Sequence, residues 1–437
     1  MVDGRSGILL ESLNDGSVKL FETLTGDEVA IRSQTTGGFD SLTIAPDVDL
    51  KEHTSYTLVI DGFRDRGDND DLDAPTREFE KFTTTFVTGE APEIEAREVA
   101  FEETMEVNGF ADGGAALTSV EMSPDGSKLY ASSLSGTITR WDVGADGSLS
   151  NAQVLALDYF TATGRGIIGL TFDPLDPDTL WVTDNHEIPL SGRDNGVPDF
   201  SGQITKITLG SGDAFTGTPQ TYVTGLPRSN GDHVTNSLEF RPNPAFTVGG
   251  DEPEYLLYLT QGSNSAMGEA DSAWGFRPER LLNAAVLEVD PTRSDVPAGG
   301  FDVTTEPLPD DGNNRRFADS DNDLFNGGIA INSGQYSGNF LHFNENGVAT
   351  VREGSDATSA LVASFYDPTA ADAPVKIFAT GTRNPYDLVW HSNGFLYVPT
   401  NGSAAGGNVP DDPDTTENEG LKKKKKQDDY LFIIPGE

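Results

Sequence analysis

The sequence has 437 residues, enough for two or more domains, and it contains no cysteine, which excludes disulfides and thiol catalysis. Its formal net charge of −42 disfavours binding to nucleic acid or anionic membranes; it suits a salty medium and divalent cations, or solubility alone. The 48 Gly and 25 Pro residues predict a turn-rich β protein, and no 3.6-residue apolar period is sustained along the sequence. The sequence also has no apolar run long enough to span a bilayer.

Residues 1–90 alternate apolar and polar positions in short segments separated by Gly and Asp turns, which predicts a small β-sandwich. The predicted strands lie at 18–20, 29–31, 42–44, 56–60 and 82–87. The stretches DSLTIAPDVDLKEHTSYTLVIDGFRDRGDND and FEKFTTTFVTG resemble the bacterial Ig-like domains of secreted proteins, without that family's first strand. The acidic loop 61–73 is interpreted as a solvated turn, with Ca²⁺ binding as the alternative.

The sequence begins without a signal peptide although its composition looks extracellular, so we expect a secreted or cell-surface protein whose export signal lies outside it. Residues 91–103 are acidic and aperiodic and are interpreted as a linker. From 104 to 437 a pattern of strand, turn, apolar-aromatic strand, polar loop and third strand recurs about every 50 to 70 residues, the spacing of propeller blades. Four copies are clear, and a weaker one lies near residue 338.

The last copy begins with residues 379–402, ATGTRNPYDLVWHSNGFLYVPTNG. Two apolar triplets flank the turn Ser392-Asn393-Gly394, which predicts a β-hairpin. The polar, cationic segment Gly381-Thr382-Arg383-Asn384-Pro385 comes directly before this hairpin. A stiff charged loop at a strand entrance is a usual place for a ligand-facing group.

His233 is the candidate base. It is one of five histidines, and it alone follows an Asp in a polar loop before a strand. Oxidising a hydroxyl needs a base that takes the O–H proton, and His suits that role near neutral pH. The alternative is an ordinary surface histidine. The sequence has no HExxH motif and no Cys/His cluster, which disfavours a zinc site.

Three segments resemble the glucose/sorbosone dehydrogenase family: GRGIIGLTFDP (164–174), GDHVTNSLEFRPN (231–243) followed by LYLTQGSN, and the Arg-Asn-Pro stretch above. The resemblance covers about residues 115–437. It implies a six-bladed β-propeller that uses pyrroloquinoline quinone (PQQ) and Ca²⁺ to oxidise sugars or related alcohols. The expected fold is therefore all-β, with an N-terminal Ig-like β-sandwich at 1–90 followed by a propeller at 104–437.

The same resemblance implies roles for individual residues. His233 would be the base, Asp232 would orient its imidazole, and Arg383 would offset charge on the reduced cofactor. The implied cofactor contacts are Arg383, Asn384, Arg165, which stands where the family often has a Gln, and Gln261. An acidic partner for Arg383 is the alternative to its cofactor role.

Two groups of carboxylates are candidate metal ligands. Asp428 and Asp429 align with an acidic pair of the family, where its Ca²⁺ sites lie. Asp319, Asp321 and Asp323 alternate like the start of a Ca²⁺ loop but lack the EF-hand Gly and Glu, so a solvated acidic loop is the alternative.

The family typically continues beyond the point where this sequence stops, so we expect either a truncated propeller or an unusual closure. An open sheet edge would then be available for self-association or for another extracellular protein. Residues Lys422 to Lys426 form a basic run foreign to the acidic composition around it. The alternatives to the dehydrogenase are a non-catalytic propeller for adhesion or assembly and a propeller hydrolase or lactonase with a central Ca²⁺.

Overall fold

The structure is a computed structural model that describes residues 12–13, 16–35, 42–48, 50–64, 78–89, 116–186, 198–250, 252–269, 274, 277–306, 329–331, 336–344, 348–354, 358–403, 407, 409 and 427–436. The chain divides into two compact units, Met1–Glu106 with Leu190–Gly192, and Val107–Pro189 with Arg193–Glu437. The regular structure of the described residues is β apart from one short helix, α1 (Asp158–Thr161). The predicted all-β class is therefore confirmed.

The first unit contains β1 (Val18–Glu22), β2 (Glu28–Val29), β3 (Ile31–Thr35), β4 (Leu42–Pro46), β5 (Ser55–Ile60) and β6 (Phe82–Val87). Four of these strands form an antiparallel sheet in the order β2-β1-β5-β6, and β3 pairs with β4. Alternation places Val18 on the buried face, where it packs with Phe63, Leu58 and Ile60. The Ig-like assignment of this unit stays a prediction, and the predicted linker 91–103 lies outside the described residues.

The second unit begins with two sheets of consecutive antiparallel strands. Sheet A consists of β7 (Leu117–Met122), β8 (Lys128–Ser133), β9 (Thr137–Val143) and β10 (Leu149–Ala156). Sheet B consists of β11 (Arg165–Asp173), β12 (Asp176–His186), β13 (Gly202–Leu209) and β14 (Gly217–Leu226), with β18 (Phe301–Asp302) parallel to β14 at its edge.

Sheet C receives its fourth strand from a distant part of the chain. It contains β15 (Thr235–Pro242), β16 (Tyr255–Gln261), β17 (Ala285–Val289) and β23 (Val375–Thr380). Sheet D is formed by residues that lie between β17 and β23 in the sequence. It contains β19 (Ile329–Ala330), β20 (Phe340–Phe343), β21 (Ala349–Arg352) and β22 (Leu361–Ser364). The weak copy near residue 338 is therefore a separate antiparallel sheet, whose sequence is inserted between the third and fourth strands of sheet C.

Sheet E contains β24 (Asn384–Pro385), β25 (Val389–Trp390), β26 (Phe395–Asn401) and β27 (Tyr430–Pro435), with β26 at its centre. The predicted hairpin is confirmed as β25 and β26, joined by a turn in which Gly394 adopts φ +83°. The outer strand β27 is exposed, with Leu431 and Ile433 more than half accessible.

Apolar side chains fill the spaces between successive sheets. Sheets A and B share a core that includes Ile138 and Leu170. The next core, between sheets B and C, includes Trp181 and Leu257. Tyr258 of sheet C packs with residues of sheet E in a third core. The first strand of sheet B, β11, also lies against β7 and β15, the first strands of its two neighbours.

Candidate functional site

His233 lies in the loop that joins β14 to β15, and it is only 2 % exposed. The loop closes on itself, because the Ser229 backbone N–H donates to the His233 carbonyl at 3.1 Å. The Ser229 hydroxyl oxygen accepts from the N–H of His233 at 3.1 Å and from that of Gly231 at 3.0 Å. Short polar residues thus fix the backbone of the candidate base.

The imidazole of His233 is held through one ring nitrogen by Ser263, which follows β16. Nδ1 lies 3.1 Å from the Ser263 carbonyl oxygen and 3.0 Å from its hydroxyl oxygen. A carbonyl can only accept, so Nδ1 carries the proton in this arrangement and Nε2 carries the lone pair. Asp232, expected to orient the ring, is exposed, and the described hydrogen-bond partner of the ring is Ser263.

Trp274 covers the imidazole. The two ring centroids are 4.2 Å apart, with planes at 38°, and Trp274 is 4 % exposed. Gly231 permits this approach, since a Cβ there would lie 2.7 Å from an indole carbon. Burial, followed by the nearby Arg383 charge, holds the pKa of His233 well below its ordinary value. The side chain is therefore a neutral imidazole at neutral pH.

Arg383 approaches the same site from the loop before β24. Its Nε donates to the Ala266 carbonyl at 2.8 Å, and its Nη1 donates to the Gly402 carbonyl at 3.1 Å. The guanidinium carbon lies 5.8 Å from the centroid of the Trp274 ring. Its own carbonyl accepts from the Ser263 N–H at 2.8 Å, so the Arg383 loop and the His233 anchor form one structure.

Buried amide side chains join the sheets beside this site. Asn236 donates to Asn384 Oδ1 at 3.1 Å and to the Pro385 carbonyl at 2.9 Å, and Asn384 donates to Asn401 Oδ1 at 3.0 Å. Asn384 is thus both donor and acceptor within the protein. This arrangement connects sheets C and E.

Gln261 has a similar internal role between β14 and β15. It is fully buried, its amide donates to the Pro227 carbonyl at 2.8 Å, and its Oε1 accepts from the Thr235 hydroxyl at 2.8 Å. Asn185 of sheet B in turn donates to the Thr235 carbonyl at 2.9 Å. Sheets B and C are therefore joined through side-chain amides near the ends of their strands.

Arg165, at the start of β11, forms an ion pair with Asp184 of β12, which is fully buried. A second bond runs from its Nη2 to the Ser201 carbonyl at 2.6 Å, and Asp184 also accepts from the Thr205 hydroxyl at 2.6 Å. Burial raises the pKa of Asp184 against the opposing effect of Arg165. Arg165 is therefore paired with a carboxylate of its own sheet.

The loop that carries Ser263 is supported by Glu279, a residue that the sequence did not single out. The Glu279 carboxylate accepts from the N–H groups of Asn264 and Ser265 at 2.8 and 2.9 Å, and from the Ser265 hydroxyl at 2.5 Å. Asn283 donates a further bond at 2.9 Å. Burial raises the pKa of Glu279, while these donors lower it.

A second buried ionic group lies next to this loop and contains Arg280, Asp199 and Glu306. Arg280 bonds Asp199 at 2.5 Å and also pairs with Glu306. Asn264 Nδ2 lies 3.4 Å from Asp199, which links the group to the Ser263 loop. The acidic residues 199, 279 and 306 all lie in loops, where no strand or helix period marks them in the sequence.

The structure describes two of the candidate metal ligands, Asp428 and Asp429. Asp429 is exposed, and its carboxylate accepts from the Gly402 N–H at 2.9 Å; Asp428 beside it is also exposed. Asp319, Asp321 and Asp323 lie outside the described residues. Within the part of the chain that the structure describes, no group of three or more His, Asp or Glu side chains is arranged to hold a metal. Among those residues, no helix has the length and apolar character needed to cross a bilayer.

No protein-family model and no curated protein sequence matches the chain. Its fold is similar to the PQQ domain of pyranose dehydrogenase from Coprinopsis cinerea, at 15 % identity and a TM-score of 0.31, covering 74 % of this chain and 83 % of that one. It is also similar to the soluble aldose sugar dehydrogenase of Escherichia coli, at 13 % identity and a TM-score of 0.28, covering 65 % and 93 %. A 6-phosphogluconolactonase-like protein from Bacteroides uniformis matches at 10 % identity and a TM-score of 0.25, covering 95 % and 99 %. The function is therefore argued from the residues of the site itself.

Proposed function

We propose that the second unit is a β-propeller with a dehydrogenase site, in which His233 would remove the hydroxyl proton of a sugar or related alcohol and PQQ would be the cofactor for the oxidation. The propeller is supported by the succession of sheets A, B, C and E, each packed on the next through an apolar layer. The neighbouring positions of β7, β11 and β15 add to this support, since the first strands of propeller blades lie side by side around the axis.

The observation that carries the proposal is the state of His233. A base must be unprotonated, hold its lone pair on a defined atom and resist rotation. The buried imidazole meets these conditions, because its pKa is lowered and both described hydrogen-bond acceptors of its ring face Nδ1. Nε2 is then the atom that takes the substrate proton.

The described residues fit PQQ in part. PQQ, when bound, supplies an ortho-quinone that accepts the hydride, and it carries three carboxylates that favour cations nearby. Arg383 lies beside the base, where it donates to two backbone carbonyls, and it fits the role of one such cation. Arg165, Gln261 and Asn384 have internal partners in the folded chain, so we assign them structural roles.

Ca²⁺ belongs to the expectation from the family, but the described carboxylates do not form a site for it. Ca²⁺ takes six to eight oxygen ligands. The described neighbourhood of Arg383 offers Asp429, through Gly402, as one carboxylate. No step of the proposed reaction is therefore assigned to Ca²⁺, and its requirement is tested by comparing activity before and after chelation. A secreted location stays part of the proposal.

The proposal is tested by loading the protein with PQQ and following dye reduction with a panel of aldoses and alcohols. We expect His233→Gln to lower kcat by about 10²- to 10⁴-fold, the usual contribution of a general base, with PQQ binding retained. His53→Asn is the matched control, since His53 is exposed in the first unit at φ +47°, a conformation that Asn tolerates. Near-normal turnover by His233→Gln would remove the base from the proposal.

The second candidate is a non-catalytic propeller for adhesion or assembly. The internal bonding of Arg165, Gln261 and Asn384 favours it, because these expected cofactor contacts are bonded to groups of the protein itself, as Arg383 also is. Absence of PQQ binding by the full chain, measured by absorbance titration with and without Ca²⁺, would support this candidate over the dehydrogenase.

A further inference from the structure

Ser263 contacts the imidazole of His233 with two oxygen atoms, and the hydrogen of its hydroxyl is already used elsewhere. The Ser263 hydroxyl donates to the Ser265 carbonyl at 2.7 Å. Its oxygen is therefore an acceptor toward His233 Nδ1, as the Ser263 carbonyl oxygen must be. Two acceptors facing one ring nitrogen select the tautomer in which that nitrogen carries the proton.

The position of Ser263 is set by its neighbours on several sides. Its N–H donates to the Arg383 carbonyl at 2.8 Å, and the N–H of Gly262 donates to the Val234 carbonyl at 3.0 Å. Gly262 must lack a side chain, because a Cβ there would lie 2.8 Å from that of His233 and 3.0 Å from Asn384 Oδ1. On the other side, Glu279 holds the residues that follow Ser263. The serine is thus a fixed part of the site.

We propose that Ser263 is the positioning residue of His233: its hydroxyl and carbonyl oxygens hold the imidazole as the Nδ1–H tautomer and leave Nε2 as the proton acceptor. This inference rests on the proposed function for its catalytic meaning. The arrangement differs from the common one, in which a buried carboxylate orients the histidine and stabilises the imidazolium. Here the orienting group is neutral.

A neutral partner has a consequence for the pH range of the base. A carboxylate beside the ring would favour imidazolium strongly, whereas the Ser263 carbonyl is a dipole that raises the pKa of His233 less than burial and Arg383 lower it. Among the described residues, the charge that acts on His233 is that of Arg383, which also disfavours imidazolium. The Glu279 carboxylate is directed at the amides of Asn264 and Ser265, and Asp232 is exposed. His233 is therefore expected to stay neutral, and able to accept a proton, in mildly acidic solution.

The test is long-range ¹⁵N–¹H NMR of the full chain labelled on histidine, without cofactor or substrate. The chain has five histidines, and His233→Gln identifies the His233 signals by their loss. We expect the wild-type spectrum to show a neutral Nδ1–H tautomer at pH 7 and no protonation of His233 at pH 5.5. An Nε2–H tautomer, or protonation near the ordinary histidine pKa, would overturn the inference.

Three serine variants separate positioning from general stability. Ser263→Asp should raise the titration midpoint of His233 by about one unit or more while the tautomer is kept. Ser263→Ala retains the carbonyl acceptor, so it should keep the tautomer but change the Nδ1 chemical shift. Ser55→Ala is the control, since Ser55 lies on β5 of the first unit, where its hydroxyl donates to the Thr23 hydroxyl. An unchanged Nδ1 signal in Ser263→Ala would contradict the role of the hydroxyl even if Ser263→Asp fails to fold.

The NMR result and the activity result are independent. The expected tautomer in a protein that reduces no dye would leave Ser263 as the positioning residue of a buried histidine and would reject the dehydrogenase. The opposite tautomer in an active enzyme would reject the role of Ser263 and leave the dehydrogenase standing.

Discussion

Asp184 is fully buried on β12, where it meets the Arg165 guanidinium and the Thr205 hydroxyl. Removing a carboxylate from water is costly, and a close cation with further hydrogen bonds offsets that cost. The side chain of Arg165 is only 12 % exposed, so little solvent screens the pair. At this position the guanidinium stabilises a buried charge.

The substitution Arg165→Gln should therefore act on stability. We expect the free energy of unfolding at pH 7 to fall by about 3 to 5 kcal/mol, because Asp184 would remain buried without its cation. The measurement is chemical denaturation of the full chain. In the double variant Arg165→Gln/Asp184→Asn the loss should be smaller than in the single variant. A single-variant loss below about 1 kcal/mol would contradict a structural role for the pair.

The positions of individual site residues were only partly predictable from the sequence. Arg383 could be singled out because a cationic loop next to a hairpin is a local pattern, and the structure brings it to His233. Ser263 and Trp274 could not: the resemblance of the LYLTQGSN segment pointed to Gln261 and not to Ser263, and Trp274, one of four Trp residues, lies in no motif. Their importance comes from contacts across the chain, which only the folded structure supplies.

At the scale of elements, the strands themselves were the most predictable feature. The hairpin of β25 and β26 forms where its two apolar triplets and Gly turn lie, because every interaction involved is local. The fourth strand of sheet C was missed, since β23 follows β17 only after sheet D. A pattern that repeats along the chain cannot indicate which strand crosses over to complete which sheet.

Strand β15 of sheet C is joined to sheet E by the carboxylate of Glu239, a group that titrates. The Glu239 carboxylate on β15 accepts from the Trp390 N–H of β25 at 2.8 Å. Burial, together with the Asp387 and Glu121 charges, raises the pKa of Glu239 to about 7. In the unfolded chain the same group ionises near its ordinary value of 4.5. The folded state therefore binds a proton that the unfolded state has lost between these two pH values.

The sign of the pH effect follows from this difference. As the pH rises from about 4.5 to 7, ionisation of Glu239 in the unfolded chain favours unfolding, and above pH 7 this destabilisation is complete. The full shift corresponds to about 3 kcal/mol, and because part of the carboxylate faces water we expect about 1 to 2 kcal/mol. Glu239→Gln keeps an acceptor for the Trp390 N–H and removes the charge.

We therefore expect Glu239→Gln to raise the free energy of unfolding at pH 8 and to leave it nearly unchanged at pH 4. Urea denaturation of the two proteins at both pH values measures this difference. An equal gain at both values would mean that the amide packs better than the acid, and that ionisation is not the cause.

At the scale of the whole molecule, charge is the dominant feature. The formal charge of −42 arises because 71 acidic residues are offset by only 29 basic ones. Like charges on a compact chain repel, and unfolding increases their separation. Dissolved salt shortens the range of this repulsion from about 30 Å at 0.01 M to about 3 Å at 1 M.

The melting temperature of the full chain should accordingly rise by several degrees when NaCl is increased from about 0.01 to 1 M. Exposed ion pairs such as Arg32 with Asp47 lose strength in salt, but pairs of this kind contribute little to stability. Sucrose at matched osmolality serves as the control for solvent exclusion. A melting temperature that is constant or falls with NaCl would contradict net repulsion as the main electrostatic term.

The insertion of sheet D into sheet C has a consequence for the order of folding on the ribosome. All strands of sheet A and strands β11 to β14 of sheet B precede β15 in the sequence, so they are synthesised before β15 emerges. In sheet C, by contrast, β17 ends at Val289 and its partner β23 begins only at Val375. Until that segment is synthesised, the buried strand β17 has an open edge. During translation this edge is the point where a chaperone or a neighbouring nascent chain would pair with the protein.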